Sequence, residues 1–156
     1  MIKTSLTKDG TNNSVPVDIA KKMTAAFRES QKADKGTYTE AAWLPAEQIK
    51  KIAEKLAEFE GDGVRIYFAR YTQDIIDSIN KLSYGDKIPD KYCNMNTILL
   101  VVTKVVDGKP KTDYFLDKTI EQKPICDEAD PNPTDPENRG VLCPTECDDD
   151  SALMND

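Results

Sequence analysis

A chain of 156 residues with 38% apolar and 31% charged content is sized and composed for one globular domain, which excludes collagenous, coiled-coil and wholly disordered classes. There is no histidine, so Ser-His-Asp and Cys-His catalysis, His-containing zinc sites and imidazole pH switches are excluded as well. The net charge of −7 is concentrated late: residues 117 to 156 hold twelve Asp and Glu against three Lys and Arg, which argues against nucleic-acid binding.

Residues 1 to 13 are polar and give the expectation of a flexible start. They lack the apolar run of a secretory signal, and no segment approaches the roughly eighteen apolar residues of a membrane span. A cytoplasmic protein without a membrane partner is therefore expected. Pro16 suits the beginning of a helix, and Ile19, Met23, Ala26 and Phe27 recur at helical spacing over Val17 to Gln31, which predicts a helix with one apolar face packed on a sheet.

After a polar connection around Gly36, Ala41 to Leu44 reads as a short extended piece whose Trp43 should anchor the next helix to the core. That helix is predicted from Pro45 to Phe59, with Ile49, Ile52, Ala53, Leu56 and Phe59 on one face. Lys50, Lys51, Glu54, Lys55 and Glu58 fill the other, expected to be solvated.

Gly63 to Thr72 is the clearest strand signal, rich in β-branched and aromatic residues and entered through Gly61-Asp62-Gly63. Alternation puts Val64, Ile66 and Phe68 on one face, expected to be core, and Arg65, Tyr67, Ala69 and Tyr71 on the other. Asp74 to Leu82 predicts a third helix capped by Asp74, and Ser83 to Met95 predicts a loop. Thr97 to Val106 is nearly continuously apolar, as a central strand is. Asp107-Gly108 then signals a hairpin, with Lys111 to Leu116 returning at a sheet edge because Pro110 lacks a ladder donor.

From Asp117 onward five of the nine prolines fall among acids and asparagines, which predicts irregular structure. Val141 and Leu142 are among the few residues able to tether it. The expected architecture is α+β: two or three helices on a small, mainly antiparallel sheet spanning residues 14 to 116, with an acidic segment over 117 to 156 partly docked on it.

Four stretches in order form a recognisable pattern: Ala42 to Ile49, Asp62 to Tyr71, Asn96 to Leu99, and Asn138-Arg139-Gly140-Val141-Leu142-Cys143-Pro144-Thr145-Glu146-Cys147. The chain resembles a family of small bacterial proteins with an aromatic-led helix, a Gly-Ile-Arg-Ile-Tyr type strand and a late Asn-x-Gly-x-Leu-Cys-Pro-Pro-x-Cys motif. It departs from that pattern at Thr145, where a second proline is usual, and in the length of Asp74 to Leu82. The resemblance implies an intact domain and a role for the cysteine motif; it carries no activity, cofactor or partner.

Three readings of Cys93, Cys126, Cys143 and Cys147 stand side by side. Cys143-x₃-Cys147 has the spacing of half a structural zinc site, which Cys93 and Cys126 could complete. The late pair could form a disulfide, or all four could stay reduced with Pro144 fixing a turn. The acidic runs at Asp127 to Glu137 and Asp148 to Asp150 lack the spacing of a calcium loop. Gly61-Asp62-Gly63 precedes a strand and is no dinucleotide loop. Arg65, Tyr67, Arg70 and Tyr71 are candidates for a ligand or enzyme site, or else they cover the sheet. With no assembled catalytic set, the expectation is a non-enzymatic interaction or regulatory module binding a protein partner, its oligomeric state open. A zinc-binding protein is the alternative.

Overall fold

The computed structural model describes residues 15–33, 38–116, 133–143 and 153. It has an α+β architecture in the order α1 (Val17–Gln31), β1 (Ala41–Trp43), α2 (Ala46–Glu58), β2 (Gly63–Arg70), α3 (Gln73–Asn80), β3 (Asn96–Val106), β4 (Lys109–Asp113) and β5 (Val141–Cys143). No helix among the described residues is long and apolar enough to cross a membrane.

The main sheet is antiparallel with the order β2-β3-β4, so the apolar β3 is central and β4 lies at an edge, as expected. Asp107 and Gly108 both have positive φ, 49° and 75°, the backbone of the tight two-residue turn that their dipeptide signals. A second sheet pairs β1 with β5, Ala42 opposite Leu142. Residues 133–143 of the late segment thus pack on the domain. Thr134, which accepts a hydrogen bond from Leu116 N–H at 2.7 Å, is also buried.

The principal core joins Tyr71, Ile76, Ile88, Tyr92, Met95 and Leu142. The loop between α3 and β3 therefore supplies three core side chains, partly from a short 3₁₀ turn at Asp90–Tyr92. Tyr71 and Tyr92 stack with ring centroids 6.3 Å apart and planes 18° from parallel, a favourable aromatic geometry.

Several expectations are corrected. The register pairs Val64, Ile66 and Phe68 with Val102, Leu100 and Ile98, yet Ile66 is 54% exposed and Phe68 91%, so this face of β2 is not core. The reason is α1, which has no buried residue: Met23 and Phe27 remain partly open. Helix α1 is moored through Arg28, paired to Glu40 at 2.6 Å, and through the contact of Phe27 with the Tyr38 ring. The Tyr38 hydroxyl is pushed up to about 12 by its burial and its bond to the Glu40 carboxylate.

Trp43 is 57% exposed, so it does not anchor α2 to the core. Thr72, not Asp74, occupies the N-cap position of α3; its hydroxyl donates to the Asp74 carboxylate and no side chain caps the helix. On α2, Lys55 is only 7% exposed, so one residue of the face expected to be solvated is buried, while Lys50, Lys51, Glu54 and Glu58 are exposed as expected.

Candidate functional site

The four sheet residues singled out from the sequence fall into three settings. Arg65 and Tyr67 share a face with Asp113 of β4, the partner of Thr103 across the sheet. Arg65 Nη1 donates to Asp113 Oδ1 at 2.7 Å and to Tyr67 Oη at 3.2 Å, while the Tyr67 hydroxyl donates to the second Asp113 oxygen. Arg65 also reaches the carbonyl of Lys111. The guanidinium and carboxylate satisfy each other in a partly exposed patch, so this is a tie between strands.

Asp62 completes that tie. It accepts from Thr103 Oγ1 and from Lys111 N–H, both at 2.6 Å, and these bonds hold its carboxyl below the usual range. Lys111 takes positive φ, 59°, just where its N–H turns to Asp62.

Tyr71 lies in the core and Arg70 on the other face, donating from Nε to Asn96 Oδ1 at 3.1 Å. Both nevertheless line a cleft of about 410 Å³ that sequence reasoning did not foresee. Ala69, Tyr71, Thr97 and Leu99 of the sheet line it, together with Ile75, Ile79 and Leu82 of α3 and beyond. Lys51 and Lys55 of α2 and the segment Pro133 to Arg139 close it. A volume in the range of roughly 300–1,000 Å³, mostly apolar with a few polar groups, is that of a ligand pocket.

Its polar end is organised by Glu137. Lys55 Nζ reaches Glu137 Oε1 at 2.5 Å and Lys51 Nζ reaches it at 3.0 Å, and Lys55 also donates to the carbonyl of Asp135 at 3.2 Å. Burial works against the charged carboxylate, but the hydrogen bonds from Lys55 and Lys51 outweigh it, and the Glu137 pKa lies below its ordinary value. A depressed folded pKa means that Glu137 contributes stability in full above the unfolded carboxylate value, about 4.3. That contribution is lost as pH falls through the lower, folded value. Glu137→Gln is expected to flatten part of the acid limb of the stability profile, measured by urea melts at a series of pH values. Asp62 and Asp74, also held low by hydroxyl hydrogen bonds, retain the remainder.

Within the described part of the late motif, residues 138–143, several side chains have structural tasks. Asn138 accepts from the Tyr71 hydroxyl and donates to Ile98 O at 2.6 Å and Thr97 Oγ1 at 3.2 Å, while its carbonyl accepts from Gln48 at 2.6 Å. Arg139, at φ 73°, donates to Tyr84 O at 2.8 Å and lies over the Tyr84 ring. Its guanidinium occupies the space where a Cβ on Gly85 would stand, and Gly85 itself takes φ 73°, a backbone that favours glycine. At Gly140 a Cβ would meet Trp43 O at 2.9 Å, so its absence lets β5 approach β1.

Cys143 is disulfide-bonded, and its partner lies outside the described residues, as do Cys126 and Cys147. Cys93 is a free, half-buried thiol. This corrects the reading of four reduced cysteines. It also removes Cys143 from the Cys93, Cys126, Cys143 and Cys147 zinc set in this state, because a disulfide sulfur carries no thiolate charge to offer a metal. Among the described residues no three Cys, Asp or Glu side chains converge as metal ligands.

Compared with known proteins, the chain matches no family model, no curated protein and no solved structure.

Proposed function

We propose that the chain is a non-enzymatic interaction module whose cleft takes an acidic peptide of a protein partner, anchored by an apolar side chain. The observation that carries this is the composition of the cleft itself. Ile75, Ile79, Leu82 and Leu99 offer an apolar slot, and four cations, Lys51, Lys55, Arg70 and Arg139, outnumber the two carboxylates Asp135 and Glu137 around it. The ion-paired Glu137, kept charged by its lysines, is a poor proton donor near neutrality and supports a binding role over an acid-base one. The family resemblance, resting on the four sequence blocks, is compatible with this reading and adds no activity to it. The Cys143 disulfide supports an oxidising compartment over the cytoplasm expected from the sequence, since a reducing cytosol disfavours a permanent bridge.

The test is fluorescence anisotropy with a dansylated peptide of one leucine flanked by glutamates, against the same peptide with lysines. Saturable binding of the acidic peptide alone is expected, weakened several-fold by Lys51→Glu and by Leu82→Glu, and weakened by salt. Equal binding of both peptides, or of neither, would sink the reading.

A further inference from the structure

The outer edge of β2 is open. Among the described residues, strand β2 pairs with β3 alone and nothing else hydrogen-bonds to its backbone. The direction of its free groups follows from Leu100. That residue exchanges both backbone bonds with Glu137, at 2.9 Å each, on the side of β3 away from β2. Its partner Ile66 therefore sits in a non-hydrogen-bonded pair and turns its own N–H and C=O outward. Alternation extends this to Val64, Phe68 and Arg70. Tyr71 N–H, bonded inward to Met95 O at 3.0 Å, has the opposite parity and agrees.

The residues with outward backbone groups are also those whose side chains form the uncovered face. Ile66 and Phe68 are exposed, and Phe68 borders a groove of about 630 Å³ whose other side is lined by Phe27 of α1. A long, apolar, unpaired edge is what natural sheets normally blunt with lysine, proline or a cover. Here eight residues contain two arginines, neither of them on the outermost apolar pair, and no proline.

We propose that this edge pairs with β2 of a second copy of the chain, antiparallel about a two-fold axis through Tyr67. A two-fold perpendicular to the sheet maps each face onto itself, so residues of equal parity must oppose each other. Centring on Tyr67 sets Ile66 opposite Phe68 of the second copy and Val64 opposite Arg70, while Arg65 meets Ala69. No like charges face each other, and the aromatic and β-branched side chains fall opposite one another twice. Each copy brings the four N–H and four C=O groups of Val64, Ile66, Phe68 and Arg70, so eight backbone bonds close and the two three-stranded sheets become one of six strands. The self-complementary register, which opposes no like charges and sets Ile66 against Phe68 twice, favours a second copy as the occupant of this edge. The surface is separate from the cleft, so this inference stands or falls independently of the peptide-binding reading.

Sedimentation equilibrium of the full chain over a wide concentration range should show a monomer passing to twice the mass, more readily at high salt because each copy carries −7. Phe68→Asp should remain monomeric with an unchanged melting curve, since that side chain is solvent-exposed in the monomer. In a background with Cys93 and the unbridged one of Cys126 and Cys147 changed to serine, Tyr67→Cys should form an intermolecular disulfide under oxidised glutathione, because position 67 faces itself across the axis; Arg65→Cys should not. A wild-type chain that stays monomeric without a Tyr67→Cys cross-link would overturn the proposal. So would a dimer indifferent to Phe68→Asp, or cross-linking equally efficient at 65 and 67. A monomer whose β2 edge takes only an extended peptide of another protein would overturn it too.

Discussion

Replacing Lys55 by methionine is expected to cost about 2–3 kcal/mol of unfolding free energy, read as a lower urea midpoint at an unchanged m-value. Methionine keeps most of the aliphatic stem that α2 packs, so the loss isolates the ammonium. Lys55 and Glu137 side chains are 9% and 14% exposed, which places the pair well inside the regime where removing one partner leaves a charge poorly solvated. Lys51 remains at 3.0 Å from the same oxygen, and for that reason the expected cost lies at or below the lower end for buried pairs. The Asp135 carbonyl also loses its 3.2 Å donor. Lys55→Met with Glu137→Leu should recover much of the loss, because an apolar pair in the same volume needs no compensation. A Lys55→Met protein within about 0.5 kcal/mol of wild type would mean that Lys51 alone carries the carboxylate.

This pair also shows what a linear reading can and cannot reach. Lys55 falls on the polar stripe of an amphipathic helix, and nothing within one turn of it signals burial. Its counter-charge arrives from a residue 82 positions later, immediately before a motif whose degree of specification was visible but whose job was not. Local features were legible for local reasons. The bounds of α1 follow from helical spacing after Pro16, and the β3-β4 hairpin follows from an apolar run ended by Asp107-Gly108.

The covered face of β2 was not legible, because alternation separates two faces without saying which of them meets a helix. Val64, Ile66 and Phe68 form the more apolar set, so they read as core. In the fold, the opposite parity leads into Tyr71 and the principal core, while α1 is held by Arg28 and Tyr38 instead of being laid across Phe68. An amphipathic helix pattern predicts an apolar face but not a place to bury it. Of the four candidate sheet residues, Arg65 and Tyr67 lie side by side, and the Asp113 and Lys111 that bond to them sit on a strand that only the register brings near.

Leu142→Ala tests whether the late segment belongs to the domain's folding unit or merely leans on it. Leu142 is 0% exposed in the principal core, its N–H donates to the Tyr92 hydroxyl at 3.1 Å, and its strand is the one that pairs with β1 among the described residues. Truncation there removes three heavy side-chain atoms from a site bounded by Tyr71, Ile76 and Tyr92, whose stacked rings leave little room to collapse. The expected loss is therefore about 3–4 kcal/mol, in one cooperative transition at unchanged m. Were the segment an appendage, Leu142→Ala would leave the global midpoint within about 0.5 kcal/mol of wild type, and hydrogen exchange would quicken only at Ala41–Trp43 and Val141–Cys143. Dithiothreitol separates packing from covalent restraint. Reducing the Cys143 bridge in the wild type should lower stability yet keep exchange protection at Leu142 tied to the global value, because Asn138, Gly140 and Leu142 hold the strand without it. In Leu142→Ala the same reduction should release β5 first, since the bridge is then the main remaining restraint at that end of the strand.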